Sequence, residues 1–265
     1  MPTLKLKVLN QKGDTLAASR QGESVSLVYS VAYGPGDRIM LEAEVPGLFC
    51  KVQFEDSMPP ALIFVKGTSA DFHIPPADDR PNYSPKSFTG SKHLIRARIA
   101  AEAEISARRC LTFNPYDFHG EHGFYPHASA NVETRNEAVF AARNAIDGIR
   151  ENSCHGEWPY QSWGINRDPE ARLKLEFGRR VTADEARLTL RADYPHDSHW
   201  TRATLAFSDG SSETFSLTDS AGPQTVSFAP RTVEWAELRD LIKADDQSPF
   251  PALTQIELWG TEAEK

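Results

Sequence analysis

The side chains best suited to chemistry cluster in N-S-C-H-G-E-W-P-Y-Q-S-W-G-I-N, residues 152–166. The stretch has no helical or strand period and is expected to be a loop. Large rings are costly to leave in water. Trp158, Tyr160 and Trp163 must therefore either anchor the loop on a neighbouring surface or form a platform for a ligand. Six of the eight histidines, His119, His122, His127, His155, His196 and His199, lie in this loop, in residues 114–127 or in R-A-D-Y-P-H-D-S-H-W, residues 191–200.

Those residue types admit more than one chemistry. The H-x-x-H pairs His119/His122 and His196/His199 could ligate a transition metal, with Glu121, Glu157 or Asp197 completing the shell. Without a helix to set the spacing that signal is weak. Asp193 with Asp197, or Glu157 with a histidine, could serve as general acid and base on a glycoside or ester, which makes a glycan-active enzyme or metal-dependent hydrolase the alternative reading. The sequence shows no nucleophile elbow, phosphate loop or metal-hydrolase helix. Surface acids and hydrogen-bonding histidines account for the same residues, so binding without catalysis is preferred. In a third reading the aromatics bury against the first half of the chain or a second copy, as an inter-domain or homo-oligomer interface.

Residues 3–113 must supply part of the frame. Leu4, Leu6 and Val8 alternate with lysines, Val25, Leu27, Tyr29 and Val31 with serines, and Ile39, Leu41, Ala43 and Val45 with polar residues, each pattern predicting a half-buried strand. Further strands are expected at 48–54, 61–66, 70–74, 93–99 and 104–113. The proline-rich residues 75–90 are expected to be a packed loop. The pattern predicts a mainly β protein with an antiparallel sandwich over 1–113, a packed linker over 114–127 and a second, mostly β domain over 128–265. In the latter, Thr134 with Glu137 predicts a capping box opening a helix that Gly148 ends. Strands follow at 171–177, 186–191, 201–207, 213–217 and 224–228, then a short helix over 233–242 and a closing strand over 253–260.

Composition narrows the partners. Lys and Arg number 29 against 37 Asp and Glu, a net charge of −8 spread without runs, which argues against nucleic acid or an anionic membrane surface. Cys50, Cys110 and Cys154 are odd in number and far apart, so a disulfide framework is not expected. The start M-P-T-L-K-L-K-V-L-N has no apolar core of a signal peptide and no run spans a membrane; the protein is expected in the cytoplasm, or secreted if a leader has been removed.

Several short motifs of the second half occur in a telling order: A-S-A-N (128–131), N-A-I-D-G (144–148), the tryptophan-bearing loop, S-D-G-S (208–211) and L-T-Q-I-E-L-W-G (253–260). In this order they resemble the galactose-binding-domain-like superfamily, in the branch of discoidin-type coagulation-factor domains and many bacterial carbohydrate-binding modules. The resemblance covers residues 126–262; the first half resembles nothing more specific than a β-sandwich. It implies a jelly-roll-like sandwich, lectin-like, whose partner is carbohydrate, held by loops at one end. Those loops would be 131–136, 152–164 and 191–200. Sugar recognition needs rings for stacking and planar or charged groups for hydroxyls. The implied ligand residues are His155, Trp158, Tyr160, Gln161, Trp163, Arg191, Asp193, His196, Asp197 and His199, with Tyr194 and Trp200 as further rings. Trp200 and Trp259 adjoin strands and are expected in the core, which favours Trp158 and Tyr160 as platforms. The resemblance also implies a structural calcium ion (Ca2+) held by Asp147, Asn152 and Glu257 with main-chain oxygens near Asn144 and Ile149, a hard-oxygen set suited to that ion.

Overall fold

The computed structural model describes residues 2–120, 123–193 and 195–264. Antiparallel strands dominate it, as the sequence alternation predicts. In Leu4–Leu9 the side chains of Leu4, Leu6 and Val8 are fully buried while the intervening lysines are partly exposed, and Arg38–Ala43 buries Ile39, Leu41 and Ala43 in the same way. Two sheets share this first core. One runs Thr15–Ala18, Leu4–Leu9, Arg38–Ala43, Ser69–His73. The other runs Phe124–Tyr125, Ala61–Val65, Leu48–Gln53, His93–Ile99, Ser24–Tyr29.

A second core lies inside one eight-stranded sheet. Its main path is Trp163–Gly164, Ala252–Glu262, Leu173–Leu190, Gln224–Lys243, Trp200–Phe207, Ser212–Ser216, with His127–Ala130 added beside Leu173–Leu190 and Arg109–Cys110 beside Ala252–Glu262. Register shifts between Glu176 and Val181 and between Ala183 and Glu185 bend the long Leu173–Leu190 strand. Both of its limbs, Leu173 to Phe177 and Val181 to Leu188, therefore line the same core. Gly178 sits at the bend with φ +69°, and a Cβ there would collide with the edge of the Tyr125 ring; only glycine fits.

The chain interleaves the two cores before it settles into the second. Arg109–Cys110 pairs with Trp259 and Gly260, and Leu111 joins the second core. The chain then returns, burying Tyr116 and Phe124 completely in the first core. Arg179, from the bend, lies 4.7 Å from the Phe49 ring and 5.2 Å from the Phe64 ring while binding Glu262, so one guanidinium ties an outer face of the first sandwich to the second sheet.

Three sequence expectations are corrected. Residues 233–242 are not a helix but the second limb of strand Gln224–Lys243. Val233, Ala236, Leu238 and Leu241 point inward, and Asp240, with φ +52°, forms a bulge that stretches the inward spacing from two residues to three, a helical interval in sequence. The expected helix up to Gly148 is instead three short 3-10 turns, Thr134–Asn136, Ala138–Phe140 and Ala142–Ile146. Arg143 and Asn144 draw their side chains away to the carbonyls of Pro115, Asp117, Ala138 and Ser162, and these bonds outweigh the local preference of an alanine-rich run. The strand expected over 104–113 is the short helix Glu102–Ser106 followed by Arg109–Cys110; Glu104 reaches back to the Ala101 N–H at 3.0 Å and binds Arg98, a capping arrangement rather than a strand.

Candidate functional site

The aromatic loop and the 191–200 loop meet at Arg191. This residue directly follows the last position of strand Leu173–Leu190, and its backbone N–H still donates to Ala252 O at 2.9 Å, which fixes the root of the side chain. Its guanidinium, fully buried, donates from Nε to Asp193 Oδ1 at 2.5 Å and from Nη2 to Asp193 Oδ2 at 2.8 Å, the two-point geometry that suits a carboxylate. Nη2 also lies 3.3 Å from His155 Nδ1. Nη1 is enclosed and has no partner among the described residues.

Rings wall this guanidinium. Tyr160 lies 5.6 Å from its central carbon, and the His155 ring lies 5.9 Å from Tyr160 and 5.4 Å from His196. Phe140 completes the group at 5.6 Å from His196, and Phe250 lies 6.1 Å from His196 under the Arg167 guanidinium. His155 is exposed, whereas Tyr160 and His196 are buried. His196 bonds Phe250 O at 3.0 Å through Nδ1. Burial, the Arg191 charge and the neighbouring His155 push its pKa down to about 4, so the ring is neutral at neutral pH. Burial works to raise the Asp193 carboxyl, yet the Arg191 hydrogen bonds and charge prevail and hold it below its ordinary value. An acid held ionised in a two-point pair is a poor proton donor, which weighs against Asp193 as a general acid.

The other implied ligand residues are placed differently. Trp163 is fully buried in the second core, its indole N–H spent on Val132 O at 3.0 Å, so it offers no face to a ligand. Trp200 lies in the same core, as expected of a residue beside a strand. Gln161 is buried as a strut: its Nε2 donates to Asp147 Oδ2 at 3.0 Å and its Oε1 accepts from the Tyr160 N–H at 3.1 Å. Trp158 is half-buried, with its Nε1 enclosed and unpartnered among the described residues. Asp197 is exposed and His199 half-buried. Tyr194, Glu121 and His122 lie outside the described residues. Phe140, Phe250 and Arg167 belong to the cluster but escaped the sequence reading; a phenylalanine framed by prolines in S-P-F-P (248–251) was the signal for Phe250.

Away from this cluster, His119 Nε2 lies 2.8 Å from Glu133 Oε2 beside a cleft of about 310 Å³ that Tyr83 and Phe118 help to line. The hydrogen bond to Glu133, against partial burial, raises the His119 pKa. Among the described residues no group of three or more His, Cys, Asp or Glu side chains could hold a metal ion.

The residues implied for calcium are spent on one another. Asp147 is buried; its Oδ1 accepts from the Ile149 N–H at 2.8 Å and from Gln255 Nε2 at 2.7 Å, and its Oδ2 accepts from Gln161. Burial raises its pKa to about 6, opposed by Arg143 and by these donors. The Asn144 carbonyl oxygen also accepts from Gln255 Nε2, at 2.7 Å. Glu257 is turned to Arg150, 2.6 Å from its Nε, and to the Trp259 indole N–H at 2.8 Å. Asn152 is half-buried with both amide atoms unpartnered among the described residues. With donors, not open oxygens, filling the turn, this set does not fit a calcium ion, which needs six to eight oxygens.

An antiparallel β-sandwich carrying a polar and aromatic loop cluster is the class that fold and site define. No protein-family model matches the sequence, and no curated protein matches it. Solved structures are similar to part of it. Chitosan-binding module 1 from a chitosanase/glucanase of Paenibacillus sp. IK-5 is 18% identical over 57% of this chain and 99% of its own, with a TM-score of 0.39. The family 32 carbohydrate-binding module of C. perfringens NanJ, solved with galactose, is 18% identical over 50% of this chain and 91% of its own, at 0.38. The lectin domain of lectinolysin, complexed with Lewis B antigen, is 14% identical over 58% of this chain and 98% of its own, at 0.43.

Proposed function

We propose that this protein binds a neutral carbohydrate, without catalysis, at the Arg191 cluster. One observation carries the reading: a fully buried guanidinium, held on two sides by Asp193 and His155, keeps its Nη1 without a partner among the described residues inside a wall of rings. A buried donor left unpaired costs about 1–3 kcal/mol, a cost that an incoming oxygen would recover. Asp193 already compensates the positive charge, so the open donor suits a hydroxyl better than a carboxylate. Exposed His155 and half-buried Phe250 and Trp158 supply ring faces for the apolar side of a pyranose.

A glycan array probed with the intact protein, followed by calorimetry on the best neutral sugar, tests this. His155→Ala is expected to weaken binding about tenfold, or 1.4 kcal/mol, with an unchanged melting temperature. Failure of the intact protein to bind any glycan would remove the proposal. Hydrolysis of a chromogenic glycoside that is lost in Asp197→Asn would replace it with the enzyme reading.

A further inference from the structure

The turn that ends at Gly148 gathers oxygens around a single nitrogen. Gln255 Nε2 lies 2.7 Å from Asn144 O, 2.7 Å from Asp147 Oδ1 and 2.8 Å from Thr254 O. A carboxamide nitrogen carries two protons, so three oxygens share two donors. Oxygens converging from a carboxylate and a turn carbonyl onto one centre are what a hard divalent cation collects. The amide cannot be turned round: its Oε1 accepts from the Gly148 N–H at 3.0 Å, and reversal would set that oxygen against three others. Glu257, two residues on and on the same strand face, is engaged by Arg150 and Trp259.

We infer that the Gln255 carboxamide takes the place of a divalent cation, so that this turn is closed without metal, and that a single change, Gln255→Glu, converts it into a cation site. The substitution keeps the side-chain length and exchanges the central donor for a carboxylate oxygen. Asn144 O, Thr254 O and Asp147 Oδ1 would then face a carboxylate oxygen where the amide donor stood, setting two carboxylates against each other with no amide proton between them. Two facing carboxylates repel, and above the pKa at which they would share a proton a cation drawn between them, with a small displacement of the new side chain, relieves that repulsion. The inference concerns the turn's stability and stands apart from any sugar binding at Arg191.

Thermal melting of the intact protein in excess EDTA and in millimolar CaCl2 reads it out. The unmodified protein is expected to melt at the same temperature in both. Q255E is expected to melt lower than the unmodified protein in EDTA and to recover by several degrees in CaCl2, but not in NaCl of equal ionic strength. Calorimetric titration of CaCl2 into the unmodified protein, which needs no variant to fold, should give no saturable heat. Calcium-dependent stabilisation of the unmodified protein, saturable binding that Asp147→Asn abolishes, or a folded Q255E indifferent to calcium would each overturn the inference.

Discussion

Two buried polar centres are both met by side chains of the same aromatic loop, and they differ in how far their hydrogen bonding is filled. Around Asp147 both carboxylate oxygens have partners in Ile149, Gln161 and Gln255. Around Arg191 the matching network stops short, with Nη1 unpartnered among the described residues. A saturated network rigidifies, because any lost member leaves the others orphaned; an unsaturated one keeps a donor that an incoming oxygen can satisfy. Gln161 and Tyr160 are adjacent in sequence, yet one serves the first centre and the other walls the second. The loop thus braces the Asp147 turn with one side chain and walls Arg191 with its neighbour.

Breaking the saturated centre should have the largest effect. Asp147→Ala strands three donors in the interior and is expected to cost about 3–5 kcal/mol in denaturant unfolding, at any calcium concentration. In the second centre Asp193→Leu leaves the Arg191 charge buried and unpaired, at about 3 kcal/mol. The double change Arg191→Leu with Asp193→Leu should return most of that stability while abolishing sugar binding. Recovery in the double variant separates a binding role from a structural one; an equal loss in both variants would make the Arg191 pair structural.

Acid sharpens the contrast. The His196 pKa lies near 4 in the folded protein against an ordinary 6.5, set by burial, Arg191 and His155 and opposed by the Phe250 carbonyl and Asp193. The unfolded chain therefore takes up a proton that the folded one refuses. The stability tied to His196 is complete above pH 6.5 and is lost as pH falls from there towards 4. His196→Phe should flatten the melting-temperature profile in that window relative to the unmodified protein. An unchanged profile would show that His196 is not depressed. The smallest effect is expected for Trp158→Phe, within about 0.5 kcal/mol, because the packing lost with the larger ring is offset by removal of an enclosed indole N–H that has no partner among the described residues.

The strands of the first sandwich were legible because one face of each is dry and the other wet, a period that sequence displays directly. Residues 233–242 were not, since the bulge at Asp240 rewrote a strand's spacing as a helix's. The helix expected before Gly148 failed for a different reason: Arg143 and Asn144 take partners from 115, 117, 138 and 162, far from the local window. At the site, Arg191, Asp193, His155 and His196 could be chosen by residue type and do converge. Trp163 has the same composition signal and is core, because nothing in a ring's identity tells which side of a loop it faces. Gln255 was invisible as a structural residue: an amide means little until the oxygens around it are known.

The interleaving of residues 109–124 bears on how the sandwich can be handled as a part. A fragment begun at residue 114 would strip the Arg109–Cys110 strand from Ala252–Glu262, baring a backbone edge open to pairing with other chains. One ended at 113 would leave the first core without Tyr116 and Phe124. The sugar-binding candidate is consequently not a cassette that can be cut out and grafted. The first sandwich is its splint, and fusion partners belong at the ends of the whole chain.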